Sequence, residues 1–214
     1  MKSKHFIFLI IFGGIFYFLN CSAFIVHNLN YDISLAEVER PANVKERFGE
    51  HQILKTEEKG YKYLYEDEMI KILWLPTSKK IGFFIENKTD HSIRLIWDEA
   101  AYVDTDGETH KVIHAGVRYI NRDAPQAPSV IVRHGILSDI IYPSDYIYYA
   151  DGWHERPLFT DSQMGGNPME LLEAGKQYIG KTIQVLLPLE IEGVTNDYIF
   201  IFKINNVEMA GEKK

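Results

Sequence analysis

Between Tyr61 and Ile204 apolar and polar residues follow one another with a period of two, the pattern of strands that bury one face. Tyr61, Tyr63 and Tyr65 alternate with Lys62, Leu64 and Glu66, and the apolar run 69–75 stops at Pro76. Residues 81–86 end in Asn87-Lys88-Thr89-Asp90, a turn composition, and 92–97 follow, continuing weakly to Val103. Asp104-Thr105-Asp106-Gly107-Glu108 predicts a hairpin, because Asp-Gly supplies the positive φ positions of a tight turn. The returning strand is 109–113, with a weak continuation to Tyr119. Residues 121–129 contain Pro125 and Pro128 and read as a loop. Short strands are expected at 130–132 and 139–142, and Pro143-Ser144-Asp145 breaks the chain before a strand at 146–150. Residues 182–187 and 198–204 are the two strongest strands, joined through Gly193-Val194-Thr195-Asn196-Asp197.

One helix is expected near residue 170. Asn167 caps it, Pro168 fits its first turn, Glu170 occupies the third position and Gly175 ends it. Eight or nine short antiparallel strands at this spacing predict a mainly β fold, an Ig-like β-sandwich with that one short helix. There is no βαβ alternation, which argues against a Rossmann or α/β-barrel fold.

The first twenty residues have a different texture. Met1 to His5 is short and basic, residues 6–19 are apolar apart from Gly and Tyr, and the single Cys of the chain follows at position 21. That is the layout of a secretory signal. Phe18-Leu19-Asn20-Cys21 resembles the lipobox of bacterial lipoproteins, in its looser form, without the usual small residue before the Cys. The resemblance implies cleavage before Cys21 and lipidation of its sulfur, so that acyl chains hold the domain on a membrane. Cys21-Ser22-Ala23 also fits an ordinary signal-peptidase site releasing a chain that begins at Phe24, and an uncut N-terminal anchor is the third reading. All three place the folded part outside the cytoplasm. Ser22, in the position where Asp resembles an inner-membrane retention signal, favours an outer membrane where the cell has one.

The expected organisation is a signal peptide at 1–20, a tether or lead-in at 21–55 and the β-sandwich at 56–214. Residues 83–119 and 179–204 resemble Ig-like domains of bacterial envelope lipoproteins whose function is uncharacterised. The resemblance spans roughly residues 80–204 and implies a fold and an address, with no catalytic residues to carry over.

Composition narrows the task by exclusion. One Cys among 214 residues forbids an internal disulfide and any multi-cysteine metal cluster. Lys+Arg 23 against Asp+Glu 30 gives a net charge of −7, and loss of Lys2 and Lys4 with the signal makes it −9. Broad nucleic-acid binding is therefore not expected. The usual hydrolase, kinase and dinucleotide-binding motifs are absent.

Asp104-Thr105-Asp106-Gly107 looks like half a calcium loop but lacks the third ligand and the distal Glu, so turn chemistry accounts for it. His110 and His114 share a strand face but lie roughly 13 Å apart at about 3.3 Å per residue, too far to share zinc without a neighbouring strand. No metal and no cofactor are expected. Tyr142, Tyr146, Tyr148, Tyr149 and Trp153 crowd one stretch and occupy both strand parities, so some must face outward. Exposed, they form a partner or ligand surface. The sequence thus reads as a non-enzymatic binding or scaffolding lipoprotein of the cell envelope. Its partners are a membrane, through the lipid on Cys21, and another envelope protein. A small carboxylate-based hydrolase and a sugar-binding module are the alternatives.

Overall fold

The computed structural model describes residues 26–40, 48–56 and 62–211. The predicted signal peptide and Cys21 lie outside the described residues. The strands in chain order are β1 (Val26–Glu39), β2 (Gln52–Lys55), β3 (Tyr63–Glu66), β4 (Ile70–Pro76) and β5 (Ile81–Asn87). Then come β6 (Ile93–Leu95), β7 (Ala101–Val103), β8 (Thr109–Ile113), β9 (Ser129–Ile131) and β10 (Ile136–Pro143). Two short strands, β11 (Ile147–Tyr149) and β12 (Trp153–Glu155), precede β13 (Ser162–Met164). Helix α1 (Pro168–Lys176), β14 (Thr182–Ile191) and β15 (Val194–Met209) complete the described fold.

The fold is mainly β and its pairings are antiparallel. One sheet runs β13-β1-β15-β14-β7-β8-β10-β5-β4-β3-β2, with β6 on β14 and β9 on β6. It curls so that its distant parts meet. Trp74 on β4 packs on Phe200 and Phe202 of β15, with ring centres 4.7 and 5.3 Å apart. Tyr65 on β3 reaches Tyr198 and Phe200 of the same strand. The inward positions of β14 (Ile183, Val185, Leu187, Leu189 and Ile191) are completely buried. This is the half-buried alternation the sequence predicts there. At roughly 1.5–3 kcal/mol for each fully buried large apolar side chain, such rows dominate the stability.

Residues 26–39, expected to belong to a tether, are instead a strand of the sheet. β1 pairs with β15 from Leu29↔Met209 to Glu39↔Ile199 and buries Leu29, Tyr31, Ile33, Leu35 and Val38. The register shifts between Leu35 and Glu37, leaving Ala36 without a Cα partner, and a bulge of this kind switches which parity faces inward. The alternation of 29–35 is therefore broken before Val38, and the whole segment lacks one clean period. β2 is likewise paired, to β3, so the sheet takes in much of the supposed lead-in.

Asn167 caps α1 as expected, its side chain accepting from the Met169 amide at 3.0 Å. Gly175 does not end the helix, which continues to Lys176. Its role is close packing, since a Cβ there would lie 2.6 Å from Leu29 Cδ1 and 3.1 Å from the Tyr31 hydroxyl.

Several phenols are locked inside. Burial, reinforced by the Asp67 charge, pushes the hydroxyls of Tyr65 and Tyr198 well above their ordinary value. Burial and the neighbouring Tyr146 do the same for Tyr102. Above about pH 10 the unfolded chain loses protons that these folded phenols keep. Their contribution to stability is therefore complete below about pH 10 and falls as pH rises beyond it. Denaturant melts at rising alkaline pH should show a steadily lower midpoint, with a late rise in tyrosinate absorbance that coincides with unfolding. A midpoint that stays level while all phenols ionise would contradict this burial.

Candidate functional site

The aromatic stretch 142–153 divides by element, not by parity. Tyr142 and Tyr146 are buried, whereas Tyr148, Tyr149 and Trp153 are 49%, 68% and 40% exposed. The buried pair forms a base. The Tyr142 hydroxyl donates to the Arg156 carbonyl at 2.5 Å, and the Arg156 guanidinium lies 3.7 Å from the centre of the Tyr146 ring. This cation–π contact holds both ends of the segment together.

The exposed residues stand on a separate two-stranded ribbon, β11 paired with β12, outside the large sheet. Its register puts Tyr149 opposite Trp153 and Tyr148 opposite His154. Because successive strand residues point to opposite faces, each face of the ribbon carries one aromatic pair. Tyr149 and Trp153 meet edge to face at 5.4 Å, while Tyr148 and His154 stack at 5.3 Å. His154 also contacts Asp151 in the turn, Nε2 to Oδ1 at 2.6 Å, and the Ala150 amide donates to the Gly152 carbonyl.

The chain before the loop 121–129 adds to the patch. A 3-10 turn, Tyr119–Asn121, brings the Tyr119 ring to 6.0 Å from Trp153, edge to face. The Arg122 guanidinium lies 5.4 Å from the centre of Trp153, and Ile120 beside it is 74% exposed. The Tyr119 hydroxyl donates to Glu155, and that bond, followed by burial, pushes its pKa up to about 12. Tyr119 and Arg122 lie some thirty residues from Trp153 in sequence, and no local pattern announces their meeting.

The sequence-singled histidines separate. His114 stacks on Trp97, centres 4.3 Å apart, and its Nδ1 faces Asp139 at 3.1 Å. His110 turns to Asp104 and Asp145. Among the described residues no helix is long and apolar enough to cross a membrane. No family model, curated protein or solved structure matches the chain.

Proposed function

We propose that this protein is a non-enzymatic binding module of the bacterial cell envelope, lipid-anchored through Cys21, and that it engages a partner protein with the β11–β12 ribbon. The observation that carries this reading is the exposure of Tyr148, Tyr149 and Trp153 on a separate two-stranded ribbon, extended by Tyr119, Ile120 and Arg122. Tyr, Trp and Arg are the residue types that dominate the energetics of protein interfaces. The anchor rests on the sequence layout around Cys21. The face-to-face packing of β3 and β4 on β15 supports reading the curled sheet as an Ig-like sandwich.

Two observations favour a protein partner over the alternatives. The rings of Tyr119 and Tyr149 stand at 72° and 73° to that of Trp153, so they offer no flat platform for a sugar ring. Among the described residues the carboxyls with clearly displaced ionisation, Glu66 and Asp104, are both held low. At Glu66 the Lys88 hydrogen bond is responsible. At Asp104 burial opposes ionisation, but amide bonds from Glu108 and Asp106 and the contact with His110 outweigh it. A glycosidase-type general acid needs the opposite shift.

The test places a photo-crosslinking residue at Tyr149 in cells, with and without Trp153→Ala. A discrete protein adduct is expected, lost at least tenfold with Trp153→Ala while the melting temperature stays within about 2 °C, because both sites are exposed. Absence of any adduct, or one indifferent to Trp153→Ala, would remove the ribbon as the binding surface. Labelled palmitate should mark the wild type and not Cys21→Ala, and an unlabelled wild type would remove the anchor.

A further inference from the structure

A second cluster lies on the β7–β8 hairpin, outside the aromatic pairs of the ribbon. The hairpin loop orients Asp104 firmly. Its Oδ1 accepts from the Asp106 and Glu108 amides, both at 2.9 Å, which leaves Oδ2 directed at His110. His110 is buried, and it is fixed from the other side by Asp145, whose Oδ2 lies 2.9 Å from Nδ1. The ring thus stands between two carboxylates, Nδ1 at 2.9 Å from Asp145 and Nε2 at 3.4 Å from Asp104 Oδ2. With Nδ1–H donating to Asp145, Nε2 offers its lone pair toward Asp104, and a metal ion between the two would take both as ligands.

The separation suits one. Two ligand atoms at about 2.0–2.1 Å from a tetrahedral zinc stand about 3.3–3.4 Å apart, close to the distance observed. Glu108 supplies a third donor, with ligand atoms of Asp104, Glu108 and His110 all within 4.8 Å of one another. Glu108 is exposed and free to swing the remaining distance inward. A metal-bound histidine that donates its other N–H to a carboxylate is the usual second-shell arrangement, and Asp145 fills that place.

An independent observation comes from Tyr102, the cross-strand partner of His110. It is 1% exposed, and its hydroxyl has no hydrogen-bond partner among the described residues. The groups acting on that hydroxyl electrostatically are Tyr146, Asp104, Tyr178 and Arg156. All four line one cavity of about 390 Å³, together with Asp106 and Glu108. Tyr102 does not itself line that cavity, but its buried, unpartnered hydroxyl lies within electrostatic reach of Asp104, where a metal-bound water would satisfy it.

We infer that Asp104, Glu108 and His110 form a binding site for a divalent transition metal of zinc type, with Asp145 orienting His110 and the fourth position open to the cavity. The nitrogen donor argues for such a metal over calcium, which takes oxygen ligands. The three ligands are local in sequence, but the residue that orients His110 is not, since Asp145 is 35 residues away. Bound metal would also tie the hairpin loop to the turn Ser144–Tyr146 that leads into β11.

The experiment is calorimetric titration of the full-length, chelator-stripped protein in detergent with zinc chloride, alongside melting curves and cobalt absorption spectra. One equivalent should bind, with cobalt giving the spectrum of a mixed nitrogen and oxygen tetrahedral site and zinc raising the melting temperature. Glu108→Gln should weaken zinc binding at least tenfold and Asp145→Asn about 10–100-fold. Both side chains are exposed, so these variants remain folded even where His110→Ala does not. Surface control His154→Ala should bind as the wild type does. Absence of binding, affinity unchanged in Glu108→Gln and Asp145→Asn, or calcium binding as tightly as zinc would overturn the site.

Discussion

A chain that begins at Arg40 is expected not to fold, whereas one that begins at Val26 is expected to fold. β1 lies along β15 and inserts five buried side chains, Leu29, Tyr31, Ile33, Leu35 and Val38. At about 1.5–3 kcal/mol each, their removal forfeits on the order of 7–15 kcal/mol. That equals the whole net stability of an ordinary domain, about 5–15 kcal/mol. The truncation also bares the flank of β15 and uncovers α1, whose Gly175 sits against Leu29 and Tyr31. The expected outcome is a far-ultraviolet spectrum of an unfolded chain and no cooperative melt. If the segment were a tether, the shorter chain would melt as the longer one does, and a cooperative transition at an unchanged midpoint would show that.

How much of this could be read beforehand depends on how local the determining physics is. Apolar runs and period-two patterning revealed β4, β5, β8 and β14; of these β5 buries every second side chain, while β4 also buries Leu73, β8 both Val112 and Ile113, and β14 Pro188. The patterning failed at 26–39, where a bulge changes parity mid-strand. It also failed at 193–197, which reads as a loop. There Glu192 at φ 52° and Gly193 at φ 76° make the reversal in two residues. Thr195, Asn196 and Asp197 then pair with Glu190, Leu189 and Pro188. Turn-forming residue types entered the strand because β14 supplied a partner for each of them. Tyr142 to Trp153 are not all buried, as mixed parity implied, but the division follows the elements, since Tyr148 shares the parity of the buried Tyr142 and Tyr146 and is exposed on β11. The neighbours that complete the patch, Tyr119 and Arg122, arrive through tertiary packing. So do Asp145 and Tyr102 around His110, and no window of sequence contains them together.

The largest effect of a single substitution is expected at Asp67, which the alternation passes over because it is a turn residue. Its carboxylate is completely buried yet fully engaged. Oδ1 accepts from the Met69 and Ile70 amides at 2.8 and 2.9 Å, and Oδ2 accepts from the hydroxyls of Tyr65 and Tyr198, both at 3.0 Å. The guanidinium of Arg40, itself 8% exposed, stands 3.6 Å from Oδ2 and donates to the Gly49 carbonyl. One carboxylate thus joins the start of β4 to β3, to β15 and to the residue that follows β1, across the closure of the curled sheet. Asp67→Ala strands a buried cation, two phenols and two amides, for which a loss of about 3–5 kcal/mol is expected. Asp67→Asn keeps an acceptor of the same size for the amides and should lose less. The decisive comparison is the double variant Asp67→Ala with Arg40→Met. If the unpaired buried charge is the main penalty, removing it recovers part of the loss, and the two effects are not additive. Equilibrium denaturation of the four proteins gives the coupling directly, and simple additivity would mean that Arg40 and Asp67 act independently despite their contact.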